Sequence, residues 1–375
     1  MPATKPSLPA QLQRKRIYIC VGAGGVGKTT LSAALALGLA ARGQKVAVIS
    51  IDPAKRLAGA LGIEELDTTP RLIDPRLFRE RGLDVRGQLW AMVLDSKRTF
   101  DQLIERLAPD ERALQEILSN RIYREISHAV AGSQEFTAIT KLYELDRHGE
   151  YDAIVLDTPP SRNALDFLEA PTRLTRFLEG RALAMFLTPG GITARLLSGT
   201  GALLFSAFAR VSGVDLLADL SAFFRSLSGL IGGFSERSRG AQALLEDPAS
   251  TFLLITTPEH DPAQEAVFLH GQLRARGMPF GGLVVNRVHT GGLAGHSPQE
   301  LSLLLREPLG ERLAARVAAN LRDFDLLARR DAQNIERLRA ELGEEDPLIL
   351  PMLEGEIADI DGLIRVTREL FGERD

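Results

Sequence analysis

Gly22-Ala23-Gly24-Gly25-Val26-Gly27-Lys28-Thr29 fits G-x-x-x-x-G-K-[ST] at every position, a spacing suited to holding phosphate. Glycines at that density let successive backbone N–H groups turn toward one anion, and a helix that starts at the end of the loop adds the positive end of its dipole. In such a loop Lys28 supplies a point charge for the β- and γ-phosphates. Thr29 offers a hydroxyl to Mg²⁺, and Thr30 one within reach of the α-phosphate. Only seven of the 45 basic residues are lysines, so arginine is the default cation of this chain. A lysine inside the loop therefore reflects phosphate geometry, where a flexible ammonium fits and a planar guanidinium would crowd. Gly22, Gly24, Gly25, Val26, Gly27, Lys28, Thr29 and Thr30 are the expected nucleotide contacts.

Two carboxylates complete the expected chemistry. Asp52 closes KVAVISID and Asp157 closes DAIVLD, each at the C-terminal end of an apolar strand, where phosphates bind in open α/β sheets. Asp157 would hold Mg²⁺ through water, and Asp52 would orient or deprotonate the attacking water. The competing reading for each is a strand-end aspartate that caps the next helix.

The elements that must position these groups are legible as short apolar, β-branched runs between longer helical patterns: RIYICV, KVAVISI, LWAMVLD, DAIVLD, TFLLIT, GGLVVN and LILP. Near-continuously apolar strands separated by helix-length segments predict a doubly wound α/β fold, a mostly parallel sheet covered on both faces. The expected organisation is a short disordered arm over residues 1–15 followed by a single nucleotide-binding domain over 16–375. Helical insertions at about 96–148 and 161–248 would form one subdomain beside the sheet.

Composition narrows the partners. A net charge of -4 provides no basic field to gather nucleic acid or anionic lipid. Cys20 is the single cysteine, which leaves no disulfide framework and no thiolate pair for zinc or arsenite. The first sixteen residues lack the apolar core of a secretory signal. The apolar stretch from Leu196 to Phe234 is interrupted by Arg210, Asp215, Asp219 and Arg225, short of the roughly 20 uncharged residues a membrane span needs. A cytoplasmic protein without direct membrane insertion is expected.

GAGGVGKTT, ISIDPAKRLAGALG and VLDTPPSRNALDFLEAP together resemble the ArsA-type ATPases, which include arsenite-pump subunits and the guided-entry ATPases that deliver tail-anchored membrane proteins. LWAMVLDSKRTFDQL, ITTPEHDPAQEAV, VVNRVHTGG and LPMLEGEIADIDGL extend the likeness in the same order along nearly the whole chain. The resemblance implies an ATP hydrolase that uses ATP and Mg²⁺. SIDPAKR would be its first switch and DTPPSRNALDF its second. Asn286 would contact adenine, and Leu353-Glu354-Gly355 would cover the base, although Glu354 stands where the family usually has proline. The resemblance further implies a dimer of identical or paralogous subunits. In it the apolar residues 183–234 would form either a groove for a hydrophobic client helix or membrane-protein partner, or a packed core.

Three departures from the family matter. Ala23 stands where the family carries an extra lysine that reaches the partner's phosphates. A cation supplied in trans is worth about 10³–10⁵ in rate, so hydrolysis would need a substitute from Lys55, Arg56, Arg162 or a lysine-bearing paralogue. The segment LGERLAARVAANLRDFDLLARRDAQNIERL has no cysteine for the zinc clamp of eukaryotic relatives, and Cys20 alone cannot gather arsenite. These departures leave open a nucleotide-gated regulatory subunit that scarcely hydrolyses, or the soluble ATPase subunit of an anion exporter. A cell-positioning ATPase of the MinD or ParA type is disfavoured, because the last helical segment lacks a basic amphipathic face for lipid.

Overall fold

The computed structural model describes residues 12–51, 56–120, 123, 134–159, 230–291, 293, 295–343, 346–353, 355, 357 and 359–372. Asp52, Lys55, Arg162, Glu354 and the 183–229 part of the apolar segment lie outside the described residues.

Eight strands form one sheet: β1 (Ile17–Val21), β2 (Lys45–Ser50), β3 (Arg71–Leu72), β4 (Gln88–Val93), β5 (Ala153–Asp157), β6 (Ser250–Thr256), β7 (Phe280–Val288) and β8 (Leu348–Pro351). Their spatial order is β3-β4-β2-β5-β1-β6-β7-β8. Every pairing is parallel except β3 with β4, so the doubly wound α/β architecture is as the apolar runs predict. All seven runs become strands. β1, β5 and β6 are buried along their whole length, which a strand covered on both faces requires. The exception is β3, two exposed residues with no apolar run to reveal them.

The described helices are α1 (Lys28–Ala41), α2 (Arg56–Ala60), α3 (Arg76–Arg79), α4 (Ser96–Leu107), α5 (Glu111–Ser119), α6 (Gln134–His148), α7 (Ile231–Glu246), α8 (His260–Ala275), α9 (Pro298–Leu304), α10 (Arg306–Leu309), α11 (Glu311–Leu342) and α12 (Ile360–Phe371). The chain divides into two compact units, one of residues 1–93, 151–164 and 246–375, the other of 94–150 and 165–245.

In the first unit α1 and α12 share the main apolar layer with the sheet, through residues such as Tyr18, Leu35, Leu363 and Phe371. The Arg42 guanidinium sits 4.0 Å above the Phe371 ring and closes the end of that layer. In the second unit α4 and α5 begin on aspartate caps: Arg98 N–H donates to Asp95 and Ala113 N–H to Asp110. The run LWAMVLD thus ends as strand at Val93, and its aspartate caps the next helix. Phe100, itself buried, stacks with Tyr123 and Phe234 at centroid distances of 6.3 and 6.0 Å.

Candidate nucleotide site

The loop between β1 and α1 has the backbone a phosphate cradle needs. Gly22 (φ 155°), Gly25 (φ 80°) and Gly27 (φ 95°) all have positive φ, which a side chain would oppose. Gly27 occupies the position before the first helical residue, and no side chain caps the helix there. The first-turn N–H groups and the helix dipole are therefore directed at the loop instead of being consumed by a cap. Gly24 and Gly25 are exposed, whereas Val26 is buried and pins the loop to the core.

The Lys28 side chain is only 6% exposed. Its Nζ donates to the carbonyl oxygens of Gly22 at 2.9 Å and Ala23 at 2.7 Å, folding the ammonium over the loop's own backbone. Thr29 and Thr30 follow, half-buried, in the first turn of α1.

Asp157 is 1% exposed at the end of β5, opposite Cys20 of β1 and Ser50 of β2 in the strand register. Its Oδ2 accepts a 2.7 Å hydrogen bond from the Ser50 hydroxyl, and next to it the Thr158 hydroxyl donates to the Cys20 carbonyl at 2.7 Å. The carboxylate is thus fixed at the root of the glycine loop, at the end of the strand that pairs directly with β2. Burial, aided by the Asp157 charge and opposed by a hydrogen bond with Ser32 and by the Lys28 charge, pushes the Cys20 thiol up to about 12. Against an ordinary value near 9 that is a thiolate fraction smaller by about 10³-fold. At pH 8 the native protein is expected to leave Ellman's reagent unreacted over minutes and to release one thiol on denaturation; a fast native reaction would contradict this burial.

Beside α1 lies a cavity of about 430 Å³ lined by Gly27, Thr30, Asn286, Met352, Leu353 and Glu369, among others. Asn286, Leu353 and Gly355, separated by sixty-odd residues in sequence, therefore meet at one opening next to the loop. The strand pairing of β7 with β8 shifts register between Val285 and Val288, and Arg287 has φ 60°. A bulge of this kind re-aims the neighbouring side chain. Here Asn286 Nδ2 donates to the Val26 carbonyl at 2.8 Å, while its Oδ1 accepts from Arg287 N–H at 3.0 Å. The expected adenine contact thus also clamps the glycine loop to β7. Met352, Glu369 and Arg287 were not expected in this cavity. Met352 adjoins the named loop and was within reach of the sequence, whereas Glu369 lies on α12 and carries no local signal.

Ala23 is 6% exposed and belongs to the main apolar cluster, so its side chain is core. Arg56, one of the substitute cations, opens α2 with its side chain exposed.

The sequence pattern of the anion-transporting ATPases matches residues 15–292. This chain belongs to that family. The match begins just before β1 and ends just after β7, so it contains the glycine loop, Asp157 and Asn286. Among curated relatives, the chain is 31% identical over 180 residues to "ATPase GET3" of Malassezia globosa, 47% of this chain and 49% of that one. It is 26% identical over 280 residues to "Putative arsenical pump-driving ATPase 1" of Aquifex aeolicus, 73% of this chain and 63% of that one. With "ATPase BagA" of Mycobacterium tuberculosis it shares 27% identity over 371 residues, 92% and 88% of the two chains. The chain thus spans less than two thirds of the first two relatives. Among the described residues no helix is long and apolar enough to cross a membrane, and no group of three or more His, Cys, Asp or Glu is placed to hold a metal ion.

Proposed function

We propose that the chain is a Mg²⁺-dependent ATP hydrolase that acts as a dimer, and whose nucleotide cycle rearranges its helical subdomain to capture or hand over a hydrophobic client or membrane-protein partner. The observation that supports it best is the pairing of an uncapped, positive-φ glycine loop carrying Lys28 with a 430 Å³ cavity that opens at the same helix start. Triphosphate would lie along Gly22–Thr30 on backbone N–H groups. Adenine would enter the cavity against Leu353, with the Asn286 amide offering donor and acceptor to a base edge.

The donor set fits Mg²⁺: a carboxylate with 1% exposure beside a phosphate cradle is stabilised by a nearby cation, and Thr29 supplies a hydroxyl on the loop side. Thr29 and, through water, Asp157 would hold the ion, whose charge would offset that developing on the phosphate oxygens. Asp52, two residues beyond Ser50, is proposed to orient the attacking water. Asp52→Asn should leave Mg·ATP affinity by calorimetry nearly unchanged and reduce phosphate release by about 10²-fold, the range for a positioned base. Equal losses in both would reject that role.

Ala23 favours a second reading, a nucleotide-gated subunit with little hydrolysis of its own, because the position that could carry a trans cation is packed core. Robust turnover by the isolated chain rejects it; turnover only on mixing with a lysine-bearing paralogue supports it. The family description also fits the soluble ATPase subunit of an anion exporter, and anion-stimulated turnover would favour that role.

A further inference from the structure

Within the second unit a cavity of about 620 Å³ is lined by Arg106, Tyr143, Glu144, Arg147, His148 and Arg237. Four of these lie on α6, at a spacing that puts their side chains on one face of the helix. Arg106 joins them from the last turn of α4, and Arg237 from α7. A close helix approach sets the position of Arg237. A Cβ added at Gly240 would lie 2.4 Å from the Tyr143 ring, so α7 runs directly against α6 at that point. Arg237 stands three residues earlier on the same face of α7.

The charges in this cavity do not cancel. Glu144 is ion-paired with both Arg106 and Lys141, the second at 2.9 Å. Burial would raise its carboxyl, but hydrogen bonds and charge from those two partners hold it below the ordinary carboxylate value, so its negative charge is already committed. Among the described residues Arg147 and Arg237 have no carboxylate partner, and Arg147 lies over the Tyr143 ring, 5.8 Å from its centroid. Arg106, Arg147 and His148 stand in last helical turns, where a cation also complements the helix dipole. That account does not extend to Arg237, which lies mid-helix in α7. Three guanidiniums thus gather at one concavity of a chain whose net charge is -4.

We infer that this cavity binds a small soluble polyphosphate or phosphate ester carrying at least two negative charges, held by Arg147 and Arg237 beside Arg106. A guanidinium fork matches two phosphate oxygens at once, which an ammonium cannot do. The volume falls in the range of about 300–1,000 Å³ typical of small-ligand pockets, and leaves room for more than one phosphate. Binding here would rest on side-chain cations, in contrast to the backbone N–H groups of the glycine loop, and the two sites share no residue.

The test titrates inorganic pyrophosphate without Mg²⁺ into the whole chain by calorimetry and locates it by hydrogen exchange. Pyrophosphate should bind more tightly than phosphate, and acetate hardly at all, with amides of α6 and α7 protected. Arg147→Gln and Arg237→Gln should each weaken binding by about 10- to 100-fold, the loss of one charge-assisted contact, and together should abolish it. Neither change breaks an ion pair, so both variants should stay folded. Arg239→Gln, two residues further along α7 and outside the cavity, should bind as the parent does. Mg·ATP uptake should be unchanged in all of these variants, so this site and the ATPase reading fail separately. No heat from the folded parent overturns the inference, as does affinity unmoved in the double variant. Protection confined to residues 22–30 also overturns it, because the anion then sits on the glycine loop. So does binding only to phosphoinositide-doped vesicles or to a polyglutamate peptide, which would make the partner a lipid surface or an acidic protein segment.

Discussion

Replacing Lys28 by alanine is expected to reduce ATP turnover by about 10³-fold and Mg·ATP affinity by at least about tenfold, the range seen when a preorganised charge is removed from developing phosphate charge. Lys28 is the sole basic side chain between Gly22 and Thr29, so the loop has no neighbour to take its place. Its two bonds to the Gly22 and Ala23 carbonyls brace the loop until an anion draws the ammonium outward. Alanine removes that brace too, since both carbonyls lose the ammonium as donor. Calorimetry and phosphate release would be read beside thermal unfolding, because the kinetic loss must exceed what lower stability explains. Lys28→Arg should fail as well, since a planar guanidinium cannot sit between two carbonyl oxygens 5 and 6 residues back in a loop this tight. Unchanged uptake of Mg·ATP by folded Lys28→Ala protein would overturn the nucleotide reading.

The sheet was legible because its strands are near-continuously apolar, and β1, β2 and β4 through β8 each rise from an apolar run. β3 was not, since both its residues are exposed and only its pairing with β4 makes it a strand. The glycine loop was legible for a different reason: its chemistry is local in sequence, from the turn to the ammonium. The base cavity is assembled from β7, β8 and α12, and the bulge that turns Asn286 toward the loop has no sequence signature of its own. Ala23 shows the reverse case: the missing lysine was visible in sequence, whereas the burial that makes the position part of the core was not.

Gly22 and Gly27 should separate folding from binding when each is changed to alanine. At Gly22 (φ 155°) the added Cβ would lie 2.0 Å from the Ile255 carbonyl oxygen and 3.0 Å from its carbon. That obstacle is backbone of β6, held in parallel register with β1, so the strands must part. Positive-φ strain and overpacking together cost roughly 3–4 kcal/mol, lowering the melting temperature by about 6–16 °C for a unit of this size. At Gly27 the new Cβ would meet the Asn286 Nδ2 at 2.5 Å, the end of a side chain that can rotate away. Only the left-handed conformation then resists, at about 1–2 kcal/mol. Rotation of Asn286 breaks its bond to Val26, however, and disturbs the cavity and the loop in one step. Gly27→Ala should therefore stay folded with a modestly lower melting temperature while losing most Mg·ATP affinity; Gly22→Ala should lose stability first. If Gly27→Ala bound Mg·ATP as the parent does, the loop and the Asn286 cavity would not belong to one site.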